Sequence, residues 1–135
     1  MAEAPLPDGT RPCDDPLFMA RLAEIGTDID ANDMLELLAM SAVQAGGNPG
    51  AIPAAVMKIQ RSRIRQAITE LGAYALGPDA LRWHPERPLH DLPEEDSVTE
   101  DRKVASAAYF NARSQSIFGG SNEIQLEIIA KGLLG

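Results

Sequence analysis

Apolar residues recur at helical spacing along most of the chain. The first stripe covers residues 22–42, and an acidic pair followed by Pro16 precedes it, which is typical of a helix start. Two glycines, Gly46 and Gly47, follow the stripe and favour its end. The pattern therefore predicts a long first helix with a slightly rotated apolar stripe, formed by Leu22, Ile25, Ile29, Met34, Leu35, Leu38 and Ala42.

A second stripe predicts a long amphipathic helix over residues 52–76. Pro53 suits the first turn of this helix, and the Gly77-Pro78 pair ends it. The apolar positions between these two signals keep helical spacing throughout. They are Val56, Ile59, Ile64, Ala67, Ile68, Leu71 and Ala75.

Two further helices are predicted near the C-terminus. Ser97 and Glu100 have the spacing of a capping box, which predicts the start of the third helix. The last apolar run includes Ile124, Ile128 and Leu133. Because no segment alternates apolar and polar residues as a strand does, the sequence predicts an all-α domain, a short helical bundle of three to four helices.

Proline and glycine divide the chain into segments. Residues 1–13 lack helical periodicity, so we predict a flexible N-terminal tether there. Residues 14–135 form the predicted helical domain, and residues 77–96 form a Pro-rich connection within it. The connection contains the single tryptophan, Trp83, which we interpret as a plug that packs the connection onto the helices.

Composition and charge narrow the class of protein. The chain has 135 residues and a net charge of −8, which argues against a nucleic-acid-binding protein. No apolar run has the length of a membrane span, and the polar, acidic N-terminus does not resemble a secretory signal. The lone cysteine, Cys13, has no partner for an internal disulfide. We therefore expect a cytoplasmic protein.

One stretch imitates the start of a calcium-binding loop. Asp28, Asp30 and Asn32 stand at the first, third and fifth positions of such a loop. However, Asp33 replaces the required glycine at position six, and Ala39 replaces the bidentate glutamate at position twelve. The stretch also lies inside the first helical stripe, so we interpret it as helix and expect no metal site.

Two other groups of residues are chemically suggestive. His84 and His90 lie in the Pro-rich connection without a nearby cysteine, so zinc-ligand spacing is absent. Lys58, Arg61 and Arg65 share one face of the second helix. We favour a solvated or salt-bridged face for these cations over a phosphate-binding site.

The segment SIFGGSNEIQLEIIAKGLLG, residues 116–135, combines two glycines with a helix start. Gly119 and Gly120 give the backbone freedom, and Ser121 or Asn122 can cap the helix that follows. The first N–H groups of a helix attract phosphate or pyrophosphate through their free donors and the helix dipole. A plain turn between two helices fits the same residues.

The same segment resembles the C-terminal signature of the acyl-CoA dehydrogenases, which are flavoenzymes. From Ile117 onward the sequence IFGGSNEIQLEIIAKGLLG follows that signature closely. Upstream, DDPLFMARLAEI and AAVMKIQRSRIRQAITELGAYALG are similar to two helices of the C-terminal bundle of that family. The resemblance extends over residues 14–135, and it implies that the chain is a fragment from the C-terminal end of a longer enzyme.

The resemblance implies a cofactor, a reaction and partners. Family members bind FAD between domains and across subunits, and they convert an acyl-CoA thioester to its α,β-unsaturated product. A base removes the proton next to the thioester carbonyl, and the flavin accepts a hydride from the neighbouring carbon. The electrons then pass to an electron-transfer flavoprotein. We also expect a homo- or hetero-oligomer, because three or four helices with few aromatic residues leave apolar faces uncovered.

Residue roles carry over only where the motif matches. Ser121 and Glu123 match family positions that lie against FAD, Phe118 matches an aromatic residue near flavin and substrate, and Gly120 matches a glycine of close backbone approach. Gly119 occupies the position where many members carry the catalytic glutamate, so no catalytic residue is assigned in this chain. We therefore expect the isolated chain to be inactive.

Further departures leave three functions open. Phe110 stands in place of the arginine of an R-D-A motif, and Tyr74 stands in place of a glutamine that often contacts a neighbouring subunit's FAD. The chain can be the C-terminal domain of an active dehydrogenase whose base lies upstream. It can instead be a non-catalytic flavin-binding or structural subunit of a hetero-oligomeric enzyme, or a helical interaction module.

Overall fold

The computed structural model describes residues 5–6, 9–77, 80 and 97–135, with side chains in the third helix described from residue 104 onward. These ranges contain no strand, which confirms the all-α prediction. In chain order, the elements are a 3-10 turn at Pro12–Asp14, α1 at Pro16–Gln44, α2 at Ala51–Leu76, α3 at Ser97–Arg113, a 3-10 turn at Ser114–Ser116 and α4 at Asn122–Leu134.

Local signals in the sequence position the ends of these helices. The Asp15 side chain accepts a hydrogen bond from the Leu17 backbone N–H at 2.9 Å, and Pro16 occupies the first turn of α1 as predicted. Asp28, Asp30 and Asn32 lie within α1, which confirms that the calcium-like stretch is helical.

α2 is the helix against which α1, α3 and α4 all pack. Toward α1, Leu71 and Ala75 form an apolar cluster with Phe18 and Ile25. Each residue is rotated by about 100° from the one before it, so the side of α2 opposite Leu71 carries a separate set of residues that contact α3 and α4. They are Lys58, Ser62, Gln66 and Ala73.

Polar contacts fix the end of α3 against α2. The Gln66 side-chain amide donates to the Ala112 carbonyl at 3.2 Å, and the Arg113 guanidinium donates to the Gln66 carbonyl at 3.1 Å. The same guanidinium lies 4.5 Å from the centre of the Tyr109 ring, a favourable cation–π distance. These contacts position the chain just before the turn into α4.

α4 approaches α2 closely at one point and is otherwise shallowly packed. A Cβ atom on Gly132 would lie 2.7 Å from Ile52 Cδ1, so the absence of a side chain there allows the approach. No residue of α4 is buried, and Leu134 is 86% exposed. The described bundle therefore leaves much of this helix uncovered.

Most of the Pro-rich connection lies outside the described residues, including Trp83, His84 and His90. Within the described ranges, no helix combines the length and the apolar character that crossing a bilayer requires.

The α1–α2 cluster should contribute a large part of the stability of the domain. Leu71 is 5% exposed, so Leu71→Ala should lower the free energy of unfolding by about 2–4 kcal/mol through lost burial and a residual cavity. Leu38→Ala is the matched control, because Leu38 is 62% exposed and should change stability by less than about 0.5 kcal/mol. Urea unfolding followed by circular dichroism measures both, and equal losses would contradict the assigned core.

Candidate functional site

The candidate site is the turn that leads into α4. Ile117 and Phe118 are 67% and 59% exposed, and they follow the 3-10 turn at the end of α3. Gly119 and Gly120 then adopt φ angles of +66° and +91°. A side chain in this left-handed region costs about 1–2 kcal/mol, so the shape of the turn favours glycine at both positions.

Ser121 is the N-cap of α4. Its hydroxyl oxygen accepts a hydrogen bond from the Ile124 backbone N–H at 3.4 Å, and Asn122 is the first residue of the helix. Of the two caps that the sequence allows, the structure therefore uses Ser121. The N–H groups of the first turn point out of the start of the helix, toward the side from which the glycine turn enters it.

Lys58 of α2 holds this turn in place. Its ammonium donates to the Asn122 side-chain oxygen at 2.8 Å and to the Ser116 carbonyl at 3.3 Å. Ser62, one turn further along α2, lies 3.3 Å from the same Asn122 oxygen. Because Lys58 is half-buried and both of its hydrogen-bond acceptors are neutral, its charge adds to the positive end of the α4 dipole.

Lys58 makes different contacts from Arg61 and Arg65, the two arginines that share its helical face. Arg61 forms a salt bridge with Glu36 of α1, and Arg65 is exposed. The salt-bridged interpretation of the face is therefore confirmed for Arg61. The role of Lys58 was missed, although its spacing of four residues from Ser62 was a visible signal that both side chains share one side of α2.

Glu123 completes the polar group at the start of α4. A hydrogen bond from its own backbone N–H lowers the pKa of the Glu123 carboxyl below 4.5, and the Ser121 hydroxyl and the nearby Lys58 charge lower it further. The lowered pKa makes Glu123 a weaker base than an ordinary glutamate, so this side chain suits accepting hydrogen bonds better than abstracting a carbon-bound proton.

Phe118, Gly120, Ser121 and Glu123 therefore share a single turn. A Cβ atom on Gly120 would lie 2.8 Å from Gln125 Nε2, so a side chain at residue 120 would displace the Gln125 side-chain amide. A Cβ atom on Gly119 would meet no atom within 4 Å, so that position opens to space.

Tyr74 lies elsewhere in the fold. Its hydroxyl donates to the Asp15 carboxylate at 2.7 Å, which joins the end of α2 to the start of α1. Sixteen residues of α2 separate Tyr74 from Lys58, a distance of about 24 Å along the helix axis. The structure therefore does not bring Tyr74 to the α4 turn within this chain.

Across the part of the chain that the structure describes, no three His, Cys, Asp or Glu side chains come close enough to share a metal ion.

Comparison with known proteins adds one finding. A family model described as "Acyl-CoA dehydrogenase, C-terminal domain" matches residues 3–134, which include all four helices and the α4 turn. Comparison of the chain with curated proteins and with solved structures gave no significant match.

Ser121→Ala tests the assigned cap. Loss of the hydrogen bond to Ile124 should lower the free energy of unfolding by about 0.5–1 kcal/mol. Loss of the hydroxyl should also raise the Glu123 pKa toward 4.5, which an NMR titration of the side chain measures. Ser41→Ala, at an exposed position of α1, is the control.

The effect of this substitution should depend on pH. The folded-state pKa of Glu123 is lowered, so its contribution to stability is present above the unfolded-state pKa and is lost as pH falls through the folded-state value. The stability difference between the wild type and Ser121→Ala should therefore narrow in acid. An unchanged Glu123 pKa in the variant would contradict the assigned contact.

Proposed function

The chain belongs to the family of acyl-CoA dehydrogenase C-terminal domains, and we propose that it supplies flavin contacts and assembly surfaces to an FAD-dependent acyl-CoA dehydrogenase. The proposed reaction is the α,β-desaturation of an acyl-CoA thioester, with an electron-transfer flavoprotein as the electron acceptor. Residues 14–135 would form the functional helical domain, and residues 1–13 would act as a tether.

The observation that carries this proposal is the positive, glycine-shaped start of α4. Lys58 and the α4 dipole together favour an anionic group, and Gly119, whose Cβ position has no atom within 4 Å, leaves the turn open. The exposed Phe118 ring, one residue before Gly119, offers a flat apolar surface in the same turn. FAD has groups that would suit these residues: phosphates for the positive charge and an aromatic ring for Phe118.

Each residue of the turn has a role that its chemistry allows. The Ser121 hydroxyl donates to Glu123, and its oxygen can also accept a hydrogen bond from a cofactor hydroxyl group. A cofactor would reach the Gly120 backbone by displacing the Gln125 side-chain amide that lies over it. The ionised Glu123 carboxylate can accept hydrogen bonds from sugar hydroxyl groups. Because Glu123 repels phosphate, we place the phosphates nearer Lys58. When bound, FAD supplies the hydride acceptor.

Exposed apolar side chains support the proposed assembly. Large apolar residues remain uncovered on the α4 turn and on α4, and exposed apolar surface of this kind marks interaction sites. The most exposed of them are Ile117, Phe118, Leu133 and Leu134.

Gly119 supports a second candidate function. The turn has no side chain at this position, and the pKa of the Glu123 carboxyl at the start of α4 is lowered. A non-catalytic subunit of a hetero-oligomeric dehydrogenase would keep the flavin contacts and lose the base. Co-purification of a homologous chain with a glutamate at the position of Gly119 would favour this function over the first.

The flavin contacts can be tested by NMR on the ¹⁵N-labelled chain. Addition of FAD up to about 1 mM should cause saturable shifts of the amide signals from residues 118–124, because an isolated contact surface binds weakly. Riboflavin, which lacks phosphate, should bind more weakly than FAD. Ser121→Ala should reduce the shifts, whereas Ser41→Ala should not. Absent shifts, or equal shifts across all helices, would contradict the proposal.

The isolated chain should not turn over substrate. Purified chain mixed with FAD, a saturated acyl-CoA and an electron-accepting dye should reduce the dye at the background rate, because the α4 turn carries no competent base. Substrate-dependent dye reduction above that background would show that a base in this chain acts on the thioester.

A further inference from the structure

α1 has apolar residues on two opposite sides. Phe18, Ile25 and the buried Asn32 face α2 at intervals of seven residues. About half a turn away lies a second stripe, which we call the outer face of α1. All of its members are exposed: Ala20, Ala23, Thr27, Ala31, Met34 and Leu38.

The outer face is more apolar than a solvated helix surface requires. Met34 and Leu38 are 58% and 62% exposed, and Leu37 beside them is equally uncovered. A helix that is apolar on both sides is ordinarily buried on both sides. The alanines at the other end of the stripe would let a second helix approach closely.

Acidic residues border the outer face on both edges. Steps of about 100° per residue place Asp30 along one edge and Glu24 and Asp28 along the other, whereas Asp33 lines a cavity with Arg61 and Arg65 of α2. None of the three edge carboxylates forms an ion pair with another residue that the structure describes. Any helix that covers the outer face therefore meets unpaired negative charge on both flanks.

The acidic residues along the outer face of α1 indicate which kind of helix can bind there. α1 contains five acidic residues and one basic residue, so a second copy of α1 would place carboxylates opposite carboxylates. We propose that the outer face binds an amphipathic helix of a partner protein, in which Lys or Arg residues flank an apolar stripe. The proposal does not depend on the flavin contacts, because α1 and the α4 turn lie on opposite sides of α2.

A designed peptide pair tests this proposal on the full chain. Both peptides are fluorescein-labelled helices of about 18 residues with a Leu/Ala stripe. One carries Lys along both flanks, and the other carries Glu. Fluorescence anisotropy should show at least about tenfold tighter binding of the Lys peptide, and raising salt from about 50 mM to about 500 mM should reduce that preference.

Variants of the chain identify the face that binds. Met34→Asp with Leu38→Asp should weaken binding of the Lys peptide at least about tenfold, since both side chains are solvent-exposed and the fold should tolerate the change. Leu133→Asp with Leu134→Asp, at still more exposed positions of α4, is the control and should leave the Kd unchanged. Glu24→Lys with Asp30→Lys should shift the preference toward the Glu peptide.

Three outcomes would overturn the proposal. The first is equal binding of the two peptides by the wild-type chain. The second is equal weakening by the α1 and α4 variant pairs while circular dichroism shows both folded. The third is a wild-type dimer in sedimentation equilibrium that Met34→Asp with Leu38→Asp converts to a monomer, because a second copy would then be the occupant. Each of these results leaves the flavin titration unaffected, so the two proposals can fail separately.

Discussion

The arrangement of the domain depends on one helix that is packed on two opposite sides. α2 receives α1 along Leu71 and Ala75, and it receives α3 and α4 along Ser62, Gln66 and Ala73. The other three helices are held mainly through α2. Burial on both sides of one central helix therefore supplies most of the order in the bundle, while the outer sides of α1 and α4 remain uncovered.

The same helix links packing to chemistry. Lys58 projects from α2 to the start of α4 and bonds to Asn122 and Ser116, so the geometry of the glycine turn is set by the core. The half-buried ammonium repels the positive end of the α4 dipole, and the nearby Glu123 carboxylate offsets part of that repulsion. An anionic group bound beside Lys58 would offset more of it, which is the proposed link between the fold and the cofactor contact.

Much of the fold could be predicted because the signals are local. The cap at Asp15 with Pro16, the stripe over residues 52–76 and the Ser121 cap all act within a few residues. The link from Lys58 to Asn122 spans 64 positions and depends on how α4 docks, so no local pattern revealed it. Likewise, the sequence predicts the apolar stripe of α1, but the exposed outer face can be identified only when the structure shows which side of α1 packs on α2.

The most direct test of the central claim is the flavin content of the native assembly. An antibody against this chain would capture the assembly from source cells under native conditions, and an absorbance spectrum would be recorded before and after addition of an acyl-CoA. If the proposed function is right, the captured material has a flavin spectrum that bleaches when the acyl-CoA reduces the cofactor. Intact assembly, captured with its partners and free of flavin, would contradict it.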